Sequence, residues 1–233
     1  MEKKVIVISL GGSLIIPDKI NVKFLKEFKK IILKNTRKYK FIIVCGGGSI
    51  ARKYISALQD KPYQTQSTAG IAATRTNAKF MSCFFSQDSF QKIPQEIKTI
   101  KKLIKKQDIV FCGALGFKPM QTTDSNAAEI AGYFKTSFIN LTNVAGLYDK
   151  NPSKNKNAKF IPKISWKEFD KMSKKIKFKP GQHFVLDQTS SSIILKNKIT
   201  TYILGGNPKQ IDNLLNNKKF KGTTIQGQDE KIF

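Results

Sequence analysis

The chain has 233 residues, enough for one large α/β domain or two intimately joined halves. With 40% hydrophobic residues it can build a full core, and no apolar run approaches the roughly 20 residues a membrane helix needs, so no membrane role is expected. Lysine and arginine total 42 against 16 acids, a formal net charge of +26, yet only Arg37, Arg52 and Arg75 are arginines. The basic residues are spread along the whole chain, with no basic arm and no interleaved aromatic motif. The excess is therefore read as a solvated lysine surface of the kind AT-rich coding produces, ahead of a nucleic-acid footprint. In either case the field attracts anions, nucleotides included. Cys45, Cys83 and Cys112 have no metal-like spacing, and buried free thiols in a reducing cytoplasm are expected.

In chain order, MEKKVIVISL lacks a long apolar stretch and a cleavage site, so it reads as a first strand and not a signal peptide. Lys4 to Leu10 is a β-branched run that ends at Gly11-Gly12-Ser13, the pattern of a central parallel strand and a glycine turn. From Val22 to Leu33 the apolar residues at 22, 25, 28 and 32 mark one helical face, with Asn21 as N-cap. Lys40 to Cys45 is a second strand running into Gly46-Gly47-Gly48-Ser49, and IARKYISAL reads as the helix after it. Three glycines there can form a nest of N–H groups for an anion, or a simple turn; the sequence is neither a Walker A loop nor the spaced dinucleotide fingerprint. Arg52, one turn into that helix, can reach back to a phosphate or pair on the surface. Lys61 to Ser67 is expected to be a polar connection, and Thr68 to Phe85 a helix of small residues carrying Arg75 and Asn77. Pro94 to Lys106 reads as a basic amphipathic helix with Ile97, Ile100, Leu103 and Ile104 inward, Asp108 to Cys112 as a strand, and Gly113 to Gln121 as a loop.

Thr122 to Pro152 (TTDSNAAEIAGYFKTSFINLTNVAGLYDKNP) carries most of the chemistry. Thr122 or Thr123 can cap a helix by accepting an otherwise unpaired N–H. Asp124 comes next, in the first turn, where the macrodipole favours negative charge and where a phosphate can also bind. Ser137 to Leu141 suits a buried strand, and the loop from Thr142 to Pro152 would lie at its carboxyl end, where open α/β sheets bind ligands. A lysine-rich loop comes after it, then Ser165 as the cap of the short helix WKEFDKM and a basic loop from Lys174 to Gly181. His183 is the only histidine, which excludes a histidine-based metal site or triad, and it is expected to be structural. Asp187 precedes a helix in TSSSIILKN, Thr200 to Leu204 is a strand, and Gly205-Gly206-Asn207 a turn. Pro208 starts a helix, Phe220 to Gln226 is a final edge strand, and the tail after Gly227 is frayed. The alternation predicts a mostly parallel sheet with helices on both faces.

The motifs strand-GGS, GGG-x-x-ARKY, G-x-x-x-TR-x-NA, TTD, TNVxGLYDKNP and a late V-x-D, in this order, resemble the amino acid kinase family, and within it the archaeal-type branch that phosphorylates UMP. The resemblance runs over nearly the whole chain and is poorest from about 80 to 121. It implies a three-layer αβα sandwich in a single domain, with the phosphate acceptor in the half before about residue 115 and ATP in the half after it. It implies phosphoryl transfer from ATP to UMP with Mg²⁺, nucleotide partners and a homo-oligomer, commonly a hexamer.

Carried over by position, Gly11, Gly12, Gly46 and Gly47 would line the phosphate channel and Arg52 would hold the acceptor phosphate. Thr122 and Thr123 would contact the acceptor nucleotide, and Asp124 would organise the reaction centre. Ser9 stands where other branches carry a lysine and would belong to the ATP side. Thr142, Asn143, Tyr148, Asp149 and Pro152 would form the ATP side, and Asp187 would lie near the transferred phosphoryl group and Mg²⁺. Phosphoryl transfer needs positioning and charge neutralisation more than a covalent catalyst, and one or two carboxylates plus phosphate oxygens suffice for Mg²⁺. Two departures concern the acceptor. Ser67 stands where an aspartate would hold the ribose, and the loop before TTD lacks the usual histidines, with Lys118 as a substitute point charge. A different small phosphate or carboxylate acceptor, or a non-catalytic nucleotide-binding role, are the alternatives.

Overall fold

A computed structural model describes residues 3–88, 90–119, 121–175 and 185–227. The chain starts with β1 (Lys4–Leu10), α1 (Gly12–Ile15), α2 (Val22–Asn35), β2 (Tyr39–Cys45), α3 (Gly48–Ala57), α4 (Tyr63–Phe84), α5 (Ile97–Lys106) and β3 (Ile109–Cys112). It continues with α6 (Thr123–Phe134), β4 (Phe138–Leu141), β5 (Leu147–Tyr148), β6 (Phe160–Ile161), β7 (Lys163–Ser165) and α7 (Trp166–Lys174), then α8 (Gln188–Asn197), β8 (Thr201–Leu204), α9 (Pro208–Leu215) and β9 (Gly222–Gln226).

The main sheet runs β3-β2-β1-β4-β8-β9-β7. Its first five strands are mutually parallel, and β9 lies antiparallel to β8 and parallel to β7. Strand alternation sends Ile6, Ile8, Leu10, Phe41 and Ile43 to one face, where α2, α4 and α9 cover them. Val7, Ile42, Val44 and Val110 point to the other, under α5, α6, α7 and α8. The result is the three-layer αβα sandwich expected. Among the described residues no helix is long and apolar enough to cross a membrane.

Local chemistry sets several boundaries. Asn21 caps α2 by accepting from the Phe24 N–H, and Ser165 and Glu168 form a reciprocal capping box on α7. Asn207 caps α9 with Pro208 in its first turn.

Five expectations are corrected. Cys45 and Cys112 are buried at the ends of β2 and β3, but Cys83, on the last turn of α4, is exposed. The polar stretch after Lys61 is not a connection: α4 starts at Tyr63 behind Pro62 and takes in Ser67, because a proline N-cap imposes no cost on the helix after it. The inward face of α2 is Phe24, Leu25, Phe28 and Ile32, while Val22 in the first turn is exposed. The loop after β4 contains β5, which pairs antiparallel with β6, and the lysine-rich segment after it also yields β7. Finally, β9 is not an edge strand: it lies between β8 and β7, with all five residues buried. His183, most of the Lys174–Gly181 loop and the tail after Gly227 lie outside the described residues.

Candidate active site

From β1 the chain winds outward through β2 to β3, then returns to β4 and winds the other way to β8. The gap between β1 and β4 is therefore a topological switch point, and the turns leaving these strands define a crevice. Gly11 donates from its N–H to the Leu141 carbonyl at 2.9 Å, which holds the two turns side by side. The glycine turns after β1 and β2 also press backbone against backbone. A Cβ on Gly12 would lie 2.0 Å from the Gly48 nitrogen, and one on Gly46 2.5 Å from the Gly12 nitrogen. Gly47 (φ −81°, ψ −20°) and Gly48 (φ +62°) stand in the right-then-left-handed order of an anion nest, with the Ser49 N–H donated to the Ile16 carbonyl at 3.0 Å.

Two helices aim their N-termini into this crevice. Thr122 caps α6: its Oγ1 accepts from the N–H groups of Asp124 (3.2 Å) and Ser125 (3.3 Å), and Ser125 Oγ accepts from the Thr122 N–H at 2.8 Å. Asp187 caps α8, its Oδ1 accepting from the Ser190 N–H at 2.8 Å and its Oδ2 from the Ser190 hydroxyl at 2.7 Å. The same Asp187 Oδ2 accepts from Thr122 Oγ1 at 2.5 Å, so one hydroxyl joins the two caps. Two converging positive dipole ends make a place for anionic phosphoryl groups.

Asp124 is half-buried as a residue, but its carboxyl group is enclosed. Burial pushes its pKa up to about 7, the Ser9 hydrogen bond pulls the other way, and the nearby Asp187 charge pushes it further up. Ser9, buried on β1, donates to Asp124 Oδ1 at 2.6 Å. In the sheet Ser9 lies beside Asn140 of β4, also buried, whose Nδ2 donates to the Val185 carbonyl at 2.5 Å, two residues before Asp187. Neighbouring polar positions on one sheet face thus fasten the two acids. Sequence reasoning misses Asn140 and Ser190. A signal for Asn140 is present all the same, since a lone amide in the apolar run SFINL needs a buried partner.

Next to the acids, between α3, α4 and the 113–121 loop, is a cavity of about 260 Å³. Ser67, Thr122 and Thr123 line it, together with Gln66, Lys118 and Gln121. Tyr63 and Phe117 close it with an edge-to-face contact of 6.2 Å. The loop is held from beneath. Thr74 Oγ1 accepts from the Ala114 N–H at 2.9 Å, Arg75 donates to the carbonyls of Ala114 (3.1 Å) and Leu115 (2.8 Å), and Asn126 Oδ1 accepts from the Leu115 N–H at 3.1 Å. Asn77 ties α4 to the second glycine turn through the Gly46 carbonyl at 2.7 Å. Lys118 is paired with Glu129 at 3.0 Å.

Arg52 lies outside this cavity's lining and donates to the Pro17 carbonyl at 3.0 Å. On the other side of the crevice, Thr142 and Asn143 come directly after β4, and a Cβ on Gly206 would meet Leu14 Cδ2 at 2.8 Å and the Thr142 carbonyl at 4.0 Å. Tyr148 stands on the β5–β6 hairpin against Phe160, at 5.3 Å between centroids. Asp149 Oδ1 accepts from the Lys159 N–H at 2.7 Å, and Pro152 sits in the turn between the two strands. Asp149 therefore shapes the hairpin that carries Tyr148.

The donor set suits a cation that keeps most of its ligands elsewhere. No group of three or more His, Cys, Asp or Glu forms a metal cluster among the described residues. Asp187 has both oxygens engaged by Thr122 and Ser190, whereas Asp124 is engaged through Oδ1. Two close carboxylates, one with its pKa raised by burial and by its neighbour, fit Mg²⁺ bound mainly by phosphate oxygens and water.

The amino acid kinase family profile matches residues 4–205. A uridylate kinase of Methanococcus aeolicus is 32% identical over 224 residues, 94% of this chain and 98% of the relative. The crystal structure of uridylate kinase from Archaeoglobus fulgidus superposes with a TM-score of 0.81 at 30% identity, covering 94% of this chain and 99% of that one. That of UMP kinase from Ureaplasma parvum superposes with a TM-score of 0.79 at 26% identity, covering 97% and 100%.

Proposed function

The chain belongs to the amino acid kinase family, and from that membership we propose that it transfers the γ-phosphoryl group of ATP to UMP, giving UDP and ADP. The observation that carries the reading is Thr122. It lines the acceptor cavity and, through Oγ1, holds Asp187 at the head of α8, so acceptor and phosphoryl sites share one residue.

UMP enters the cavity between α3, α4 and the 113–121 loop with its phosphate toward the α6 N-terminus. ATP lies along the turns that leave β4 and β8, beside Tyr148. A phosphate oxygen of UMP attacks the γ-phosphorus, the new P–O bond forms as the bond to the β-phosphate oxygen breaks, and ADP departs with that electron pair. The glycine turns and the two helix N-termini supply N–H groups and positive potential to the equatorial oxygens. Asp124 and Asp187 would hold Mg²⁺ together with phosphate oxygens, and bound Mg²⁺ supplies the positive charge that offsets the triphosphate. Ser9 and Asn140 keep the acids in place. Arg52 reaches the acceptor phosphate only by leaving Pro17. Assembly into a hexamer and a cytoplasmic location belong to the same proposal; the free cysteines suit a reducing compartment.

The test is coupled ADP release with ATP and Mg²⁺, offered UMP, CMP, AMP or no acceptor, with UDP identified directly. Release that depends on UMP is expected. Release with another acceptor and not with UMP would replace the substrate. Tight ATP binding without transfer to any acceptor would overturn the enzymatic reading.

A further inference from the structure

Asp170, on α7, is 5% exposed and is the only acid among the described residues that is buried as a whole residue. It lies in the seam between α7 and α8. Its Oδ1 accepts from the Ser191 hydroxyl at 3.0 Å and from the Ser192 hydroxyl at 3.3 Å, both on α8. Its Oδ2 is paired with Lys174 Nζ at 2.6 Å, one turn further along α7. The Lys174 side chain is 59% exposed, so that pair adds little to stability.

Packing alone does not call for an acid here. Trp166 and Phe169 of α7 and Ile194 of α8 belong to one apolar cluster, and a hydrophobe in place of a buried charge is often neutral or stabilising. The facing sequence on α8 is equally specific. Serine is a poorer helix former than alanine, yet α8 carries Ser190, Ser191 and Ser192 in succession, the first two fully buried. Each has a defined use. The Ser190 hydroxyl is donated to Asp187 Oδ2, and those of Ser191 and Ser192 to Asp170. The start of α8 is thus tied to α6 through Asp187 and Thr122, and to α7 through Asp170.

The two kinds of contact constrain a helix differently. Apolar packing has no preferred direction, whereas two adjacent hydroxyls on one carboxylate oxygen fix the rotation of α8 about its axis. Side-chain atoms lie about 5 Å from a helix axis, so a turn of about 20° would move the Asp187 carboxylate by about 2 Å. That is enough to break its 2.5 Å hydrogen bond from Thr122. A displacement of about 1 Å in a reaction centre can cost about a hundred-fold in rate.

We infer that Asp170 is a positioning residue for phosphoryl transfer: through Ser191 and Ser192 it sets the rotation of α8, and with it the place of Asp187. The consequence for rate rests on the kinase reading above, while the tie between the helices does not.

The test compares Asp170→Leu with Asp170→Asn. Leucine removes both ties. Ser191 keeps the Gln188 carbonyl at 2.9 Å and Ser192 is exposed, so no buried donor is orphaned and the urea midpoint should match or exceed that of the parent. Asparagine keeps an acceptor oxygen for the two serines. In steady-state ADP release with UMP, kcat should fall about ten-fold in D170L with the KM for UMP within about two-fold, and D170N should return to within about two-fold of the parent. The variant S191A/S192A cuts the same ties from the α8 side with better helix formers, and should show the same loss if D170L does not fold. Amide exchange reads the tie without turnover. The Ser190 N–H, which donates to Asp187 Oδ1, should exchange about ten-fold faster in D170L or S191A/S192A, with the amides of α9 unchanged. Full kcat in the variants that cut the ties, equal losses in D170N and D170L, or unchanged exchange at Ser190 would overturn the inference. A parent that transfers nothing to UMP would overturn the kinase reading instead, and the exchange would still decide whether Asp170 holds α8.

Discussion

Replacing Asp124 by asparagine should make the protein more stable and inactive, and the stability change has a definite pH dependence. Folding raises the Asp124 pKa from 3.8 to about 7. The folded state therefore holds this proton more tightly than the unfolded one, and between about pH 4 and 7 it binds more protons. Stability must fall as pH rises through that window, with the full cost present above it. At roughly 1.4 kcal/mol per pH unit the cost is about 4 kcal/mol at pH 8, shrinking to below about 2 kcal/mol at pH 5. Asparagine keeps an acceptor for the Ser9 hydroxyl and carries no charge, so the variant escapes the cost. Urea unfolding from pH 5 to 8 reads the difference between the two proteins, which cancels the titration of the other acids. The variant should be the more stable at pH 8, by up to about 4 kcal/mol, with the gap closing toward pH 5. ADP release should collapse at the same time, because the carboxylate that unsettles the fold is the one proposed to face Mg²⁺. A gap that does not change with pH, or a variant less stable at pH 8, would refute the reasoning.

Three further substitutions probe other parts of the site. Asn140→Leu removes the amide that holds the Val185 carbonyl, and should lower kcat about ten-fold while the KM for UMP stays within about two-fold, measured by steady-state ADP release. Gly12→Ala places a Cβ 2.0 Å from the Gly48 nitrogen, where no side chain can give way. It should cost about 3 kcal/mol or more in urea unfolding. Ser67→Asp puts a charged acceptor in the cavity wall and should lower the KM for UMP about five-fold, the roughly 1 kcal/mol by which a charged hydrogen bond exceeds a neutral one. An unchanged KM would mean that the ribose does not reach Ser67.

How much of the molecule is legible in the sequence depends on the range of the interactions. The caps at Asn21, Thr122 and Ser165 are contacts within one turn, so a few residues suffice to specify them. Asp124 at a helix start and the glycine turns after β1 and β2 are readable for the same reason. The start of α4 is not, because Gln64, Thr65, Gln66 and Ser67 have no apolar period and take their helical geometry from the residues C-terminal to them. The place of β9 is hidden because strand order depends on partners far away in the chain. Arg52 shows a different limit: its position on α3 is clear, but its partner, the Pro17 carbonyl, is set by a turn that the sequence does not reveal. The link from Thr122 to Asp187 spans 65 residues and becomes visible only once α6 and α8 are packed together.

The interior position of β9 has a consequence for synthesis. β7 pairs in the main sheet with β9 alone, and β9 comes roughly 60 residues later. At about 5–20 residues per second, β7 and α7 leave the ribosome roughly 3 to 12 s before the strand that anchors them exists. Over that interval the apolar side of α7, with Trp166 and Phe169, lacks part of its cover, and β8, once made, presents an open edge for the roughly 20 residues, about 1 to 4 s, that separate it from β9. The parallel core from β3 to β8 can form without β9, so the nascent chain has a natural waiting state: five strands in place and its outer flank exposed to chaperones, or to a neighbouring chain on the same polysome.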